Sequence, residues 1–203
     1  AGYLAAVRAA CDRYGTMLIA DEVQTGLGRS GSLWAIEGQG VVPDALVTGK
    51  GLSGGMYPIA ATLLSEQAGD WLQSDGWGHV STFGGAESGC VVASEVLAMT
   101  QELLPSVPDL AQQWQAGLAE LQTRPPDWLV GVRQTGLIIG LEFANEMGGM
   151  VMTRLLYDEG VWAMFAGFDR RVLQVKPGLL MESADIELVL AALDRACTAA
   201  AAL

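Results

Sequence analysis

Apolar residues recur at helical spacing where the chain opens. Leu4, Val7, Cys11 and Tyr14 fall on one face, and Gly15 stands where such a helix stops. Residues 17–20 are apolar without interruption, which predicts a strand buried on both faces, as in a parallel sheet. Residues 25–40 are glycine-rich and aperiodic, predicting a loop with one short helical turn. Pro43-Asp44 marks a turn, and the apolar runs over 45–48 and 59–64 read as two further strands. Strands separated by loops and helices in this way predict α/β architecture.

The pattern then changes. Residues 84–101 read as a helix after a loop, and Pro108 suits the first position of the next one. Leu110, Trp114, Gly117, Leu118 and Leu121 give that second helix one apolar face. Arg124-Pro125-Pro126-Asp127 breaks the chain, and a domain boundary is expected between about 100 and 127. Short strands are predicted over 130–132, 137–143, 161–163 and 172–175, with a helix over 147–159. Ser183 is placed to N-cap a last helix whose Ile186, Val189, Leu190, Leu193 and Cys197 form a stripe, fraying over 199–202. Asp185 and Glu187 lie near its positive end. This mixture predicts a small α+β domain, and the chain has no internal repeat.

Composition narrows the function classes. With 203 residues, 51% of them hydrophobic, the chain is long and apolar enough to fold around a core. A net charge of −12 argues against nucleic acid and against anionic membrane surfaces, both of which attract clustered Lys and Arg. Mean hydropathy is positive, yet no uninterrupted apolar run approaches the ~20 residues of a membrane span. The start carries no signal-peptide pattern. Cys11, Cys90 and Cys197 are far apart and without a Cys-x-x-Cys pair, so buried free thiols in a reducing cytoplasm are expected.

The chemistry concentrates at two strand ends. One apolar strand runs into Asp21-Glu22-Val23-Gln24, and another runs into Gly49-Lys50-Gly51. The stretch between 21 and 50 leaves room for one loop and a crossover between neighbouring strands. An acid and an amine placed there match what pyridoxal phosphate (PLP) requires. Lysine offers an imine to the cofactor aldehyde, and a carboxylate keeps the pyridine nitrogen protonated so that the ring accepts electrons. Each residue also has a plainer reading, Asp21 as a cap for the next turn and Lys50 as a surface lysine.

At these motifs the sequence resembles the class III PLP-dependent aminotransferases, the group of ornithine, acetylornithine and ω-amino acid aminotransferases, over essentially the whole chain. The resemblance implies PLP-dependent transferase fold type I, with residues 1–104 as the C-terminal part of the large domain. Residues 105–126 would be a linking helix and 127–203 the small C-terminal domain. Family members are about twice as long, so the chain is expected to begin midway through the large domain and to lack activity alone. The resemblance gives Lys50 and Asp21 the catalytic roles, packs Val23 on one ring face and sets Gln24 near the ring hydroxyl. Val80-Ser81-Thr82-Phe83-Gly84-Gly85 resembles the segment whose threonine binds the cofactor phosphate of the partner subunit, which implies a homodimer. A helix start is a good anion site; a simple N-cap is the plainer reading of Thr82. His79 is expected to be structural, and no metal is expected.

Family members acting on α-amino acids carry an arginine shortly before a Pro-Pro-Leu segment. Here Gln174 takes its place, with Lys176 two residues on and Pro177 after it. Gln cannot form the bidentate charged fork, so this region is more similar to the branch with ethanolamine-phosphate phospho-lyases and ω-aminotransferases. The expected activity is amino transfer between an amine or amino acid donor and a keto acid or aldehyde acceptor. A phospho-lyase or racemase, or a silent truncated chain, stays open beside it. Gly26-Leu27-Gly28-Arg29-Ser30-Gly31 matches the dinucleotide fingerprint, but no long amphipathic helix follows it. The run around Gly49-Lys50-Gly51 lacks the Ser/Thr and the first glycine of a P-loop.

Overall fold

The computed structural model describes residues 2–124 and 128–202. The chain forms two compact units, Ala1–Leu104 and Pro105–Leu203.

In the first unit, helix α1 (Tyr3–Tyr14) stops at Gly15, whose φ of 62° is left-handed and whose N–H donates to the Cys11 carbonyl. Strand β1 (Ile19–Asp21) pairs in parallel with β2 (Ala45–Thr48), and β3 (Ala61–Leu64) pairs antiparallel to β2, in the order β1-β2-β3. Asp44 ties the start of this sheet together: its Oδ2 accepts from Arg8 Nη1 and from the Leu18 N–H, each at 2.7 Å. One face is covered. Ile36, Val41 and Leu46 form its buried cluster, with Leu4, Leu18, Ala20 and Trp34 packed against it.

Along β1 the other face is open, which corrects the expectation of a strand buried on both sides: Ile19 is 63% exposed and Met17 54%. An apolar run specifies a strand but not how many of its faces are covered. The third strand starts at Ala61 rather than 59, because Pro58 lacks a ladder N–H and Tyr57 and Ile59 pack against Gly89 instead. Ser65 N-caps the short helix α2 (Glu66–Gly69), and α3 (Trp71–Ser74) comes next. Helix α4 (Glu87–Leu103) begins three residues later than expected, because Gly85 at φ 70° sits in the turn before it.

The second unit starts with α5 (Val107–Gln122), in which Val107 is already helical and Pro108 stands second rather than first. Strands β4 (Leu129–Thr135), β5 (Ile138–Phe143), β6 (Met164–Phe165) and β7 (Val172–Val175) form an antiparallel sheet in the order β4-β5-β7-β6. Helices α6 (Gly148–Asp158) and α7 (Ser183–Ala200) pack with α5 around a core centred on Trp114, Leu118, Leu141, Met152 and Leu193. The strand expected at 161–163 lies instead at Met164–Phe165, because the Val161 N–H is held by the Leu156 carbonyl at the end of α6, at 2.8 Å.

Two expectations at the last helix also change. Glu182, not Ser183, is the N-cap, in a reciprocal box with Asp185. Ala200 remains helical and 2% exposed, so the helix holds over 199–200, with the turn only at Ala201 and Ala202. The chain break expected at Pro125-Pro126-Asp127 lies outside the described residues. Among the cysteines Cys90 is exposed, against expectation, while Cys11 and Cys197 are half-buried. Burial, helped by the charge of Asp194, pushes the Cys197 thiol up to about 11.

Among the described residues one helical run, Glu87–Gln122, is long and apolar enough to cross a bilayer by length and composition alone. The turn at Leu104–Ser106 interrupts it, and its second half gives Val107, Leu110, Trp114 and Leu118 to the core.

Candidate functional site

The parallel register Ile19↔Ala45, Ala20↔Leu46, Asp21↔Val47 brings both strand exits to one edge of the sheet. Asp21 is the last residue of β1 and is exposed. Its Oδ1 accepts the Val23 N–H at 3.0 Å, closing an Asx turn that carries half-buried Val23 and exposed Gln24.

After β2, Gly49 is extended, and the exposed Lys50 opens a single 3-10 turn, Lys50–Ser53. The backbone of Lys50 has φ 46°, in the left-handed region where a residue with a Cβ costs ~1–2 kcal/mol. The turn around it is well braced. The Ser53 hydroxyl donates to the Lys50 carbonyl at 2.9 Å and accepts the Gly55 N–H at 3.0 Å. Leu52, 3% exposed, anchors the turn from below.

Asp21, Val23 and Lys50 therefore share one sheet edge. Thr82 lies elsewhere in this unit, exposed in the turn before α4. The N-cap of that helix is Ala86, with no side-chain cap, so Thr82 does not serve as its N-cap. His79 is exposed as well. Residues 26–31, where the dinucleotide fingerprint matched, form turns and lead into no long helix.

Gln174 and Lys176 belong to the second unit and lie together. Gln174 Nε2 donates to the Phe165 carbonyl at 3.2 Å, and its Oε1 accepts from Lys176 Nζ at 2.5 Å. Both line a cavity of ≈ 100 Å³ with Trp114, Trp162, Ala163 and Pro177. The amide thus holds the lysine ammonium at the mouth of an apolar recess. These are the chain's two lysines, Lys50 and Lys176, one in each unit.

Sequence reasoning overlooked Glu22. It is 4% exposed, an acid on the covered face of the sheet. Its Oε1 accepts the Ile36 N–H at 2.8 Å, its Oε2 accepts the Thr25 hydroxyl, and its own N–H donates to the Val47 carbonyl at 2.8 Å. The available signal was parity: Glu22 alternates with Leu18 and Ala20, both of which pack into the covered cluster. Electrostatics elsewhere in the unit are structural. The Arg8 guanidinium, aided by the Leu18 N–H, holds the Asp44 carboxyl below the usual carboxylate range, and burial pushes the Arg29 guanidinium down.

The family model described as aminotransferase class-III matches residues 1–197. A curated relative from Archaeoglobus fulgidus, described as an uncharacterized aminotransferase, is 42% identical over 185 residues, covering 90% of this chain and 43% of its own length. N-acetylornithine aminotransferase from Stenotrophomonas maltophilia K279a superposes with a TM-score of 0.86 at 27% identity, covering 100% of this chain and 52% of that one. Ornithine aminotransferase from Toxoplasma gondii, a structure described as having partial occupancy of PLP at its active site, gives a TM-score of 0.86 at 28% identity. It covers 98% of this chain and 46% of its own. The chain spans about half the length of the proteins it matches.

Proposed function

The chain belongs to the class-III aminotransferases, and on that premise we propose that it supplies the lysine and ring acid of an enzyme moving an amino group from an amine or amino acid donor to a keto acid or aldehyde acceptor. One observation carries this reading: Asp21 and Lys50 leave neighbouring parallel strands at the same edge, both exposed. Family membership implies PLP, and the donor set fits it, pairing an exposed carboxylate with an amine one strand away. When bound, PLP supplies the electron sink that stabilises a substrate carbanion.

Every other role falls to the chain's own residues. The Lys50 amine would hold the cofactor and would serve as the base and acid that takes and returns the proton at the substrate carbon. Asp21 keeps the pyridine nitrogen protonated through its charge, with Oδ1 steadied by the Val23 N–H. Val23 would pack on the ring and Gln24 would serve the ring hydroxyl. Thr82 would help hold the cofactor phosphate of a partner subunit, in a homodimer. Residues 1–104 serve as part of the large domain, 105–126 as the linking helix and 127–203 as the small domain, within a cytoplasmic enzyme.

Gln174 and Lys176 touch the substrate. The pairing of the Gln174 amide with Lys176 favours ω-amines or amino-phosphate compounds, since a single ammonium replaces a planar fork. That feature also supports a second reading, a phospho-lyase on the same scaffold.

The test is a panel of amine donors and keto or aldehyde acceptors, run on the complete enzyme carrying this chain and on its Lys50→Ala variant. Amino transfer that disappears in the variant while the fold persists is expected. Undiminished turnover in the variant would overturn the proposal.

A further inference from the structure

We infer that Glu22 and Leu27 are positioning residues for Lys50, holding its turn in the left-handed conformation through the loop after β1. The inference rests on the reading of Lys50 as the cofactor lysine and adds how the chain presents that amine.

Lys50 and Leu27 are the only non-glycine residues with positive φ among those described, at 46° and 56°. One lies in the turn after β2 and the other in the loop after β1. Such backbone persists only where its surroundings over-determine it. The loop of one reaches the turn of the other: a Cβ built on Gly51 would lie 3.1 Å from Leu27 Cδ1, so the Leu27 side chain packs against the residue that follows Lys50.

Leu27 can press there only if its loop is fixed, and Glu22 fixes it. The buried carboxylate takes the Ile36 N–H and the Thr25 hydroxyl, spanning the loop on both sides of Leu27. The Glu22 carbonyl accepts the Gly26 N–H at 3.0 Å. Gly26 leaves no room for a side chain, since a Cβ there would come within 2.6 Å of the Trp34 ring. The loop is therefore closed on Glu22 and braced by Trp34, and Leu27 transmits that rigidity to Gly51 and Lys50. Without the carboxylate, two donors on the covered face lose their acceptor, one of them a backbone N–H. The loop would shift to rehydrate them, and Leu27 would leave Gly51.

The test compares this chain's two lysines, Lys50 and Lys176, within the complete enzyme that carries it. The enzyme is treated with excess PLP, reduced with borohydride, and the rate of labelling at each of the two lysines is read by peptide mapping. Lys176 lies in the other unit and serves as an internal reference. Glu22→Ala and Leu27→Ala are expected to slow labelling at Lys50 relative to Lys176 by roughly tenfold, a displaced group being far less reactive than a preset one. Glu22→Gln should retain most of the rate, because its amide oxygen still accepts the Ile36 N–H and its NH2 can donate to Thr25. Should Glu22→Ala fail to fold, Leu27→Ala and Glu22→Gln decide. Unchanged Lys50 labelling in Leu27→Ala, or a loss in Glu22→Gln as large as in Glu22→Ala, would overturn the inference alone. No labelling of Lys50 in the unaltered complete enzyme would overturn the proposed function, and this inference with it.

Discussion

Asp21 pairs in parallel register with Val47, three residues before Lys50. Alternation along the strand then separates two acids that are adjacent in sequence. Asp21 is exposed at the sheet edge, while Glu22 turns to the covered face and is 4% exposed. One acid is free to meet a ligand and the other is spent on the loop.

Asp21→Asn tests the first of these roles. The substitution keeps the shape, and its Oδ1 can still accept the Val23 N–H, so melting temperature should hold. Removing the charge should lower kcat of the complete enzyme by about 10²- to 10³-fold, the usual loss when one preorganised charge partner is deleted. Steady-state kinetics beside a thermal melt checks it; retention of most of the turnover would make Asp21 structural.

Substrate choice should follow Gln174 and Lys176. A charged hydrogen bond to an α-carboxylate is worth ~1.5–3 kcal/mol, and its loss costs about tenfold to a hundredfold in kcat/KM. ω-Amines or amino-phosphate compounds should outrun glutamate by that margin in half-reaction assays. Gln174→Arg should narrow the gap. A glutamate half-reaction faster than that of every ω-amine tested would contradict the assignment.

Acid should loosen the first unit through Asp44. Its hydrogen bond from Arg8 comes first among the causes that depress its pKa in the folded state. A depressed carboxylate contributes stability above its unfolded pKa of about 3.9 and loses it as pH falls through the folded value. The melting temperature of the unit should therefore drop below about pH 4, and Asp44→Asn should remove part of that drop. Equal acid sensitivity in the variant would exclude Asp44 as a source.

Much of this site is legible from residue order, and the reasons can be named. Asp21 and Lys50 stand out because an apolar run ending in a charged residue means a strand reaching its exit. The parallel pairing of those strands is implied by the loop and crossover between them. Other features depend on tertiary contacts. The open face at Ile19 is invisible because an apolar run reads the same whether one face or two are covered. The left-handed Lys50 is invisible because L-residues rarely adopt that conformation, and part of its bracing comes from Leu27, distant in sequence, which packs on Gly51. The position of β6 is set by a hydrogen bond at the end of α6, which strand propensity does not encode. Gln174 stands out in the sequence as a replacement for arginine, but its grip on Lys176 emerges only once the fold sets the two side chains together.

The most direct measurement is the destination of the cofactor itself. The complete enzyme carrying this chain is reduced with borohydride in the presence of PLP, digested and mapped. The label is expected on Lys50, with Lys176 unmodified at stoichiometric PLP. Label at Lys176 or at a lysine outside this chain, with Lys50 untouched, would contradict the assignment of Lys50 as the cofactor lysine.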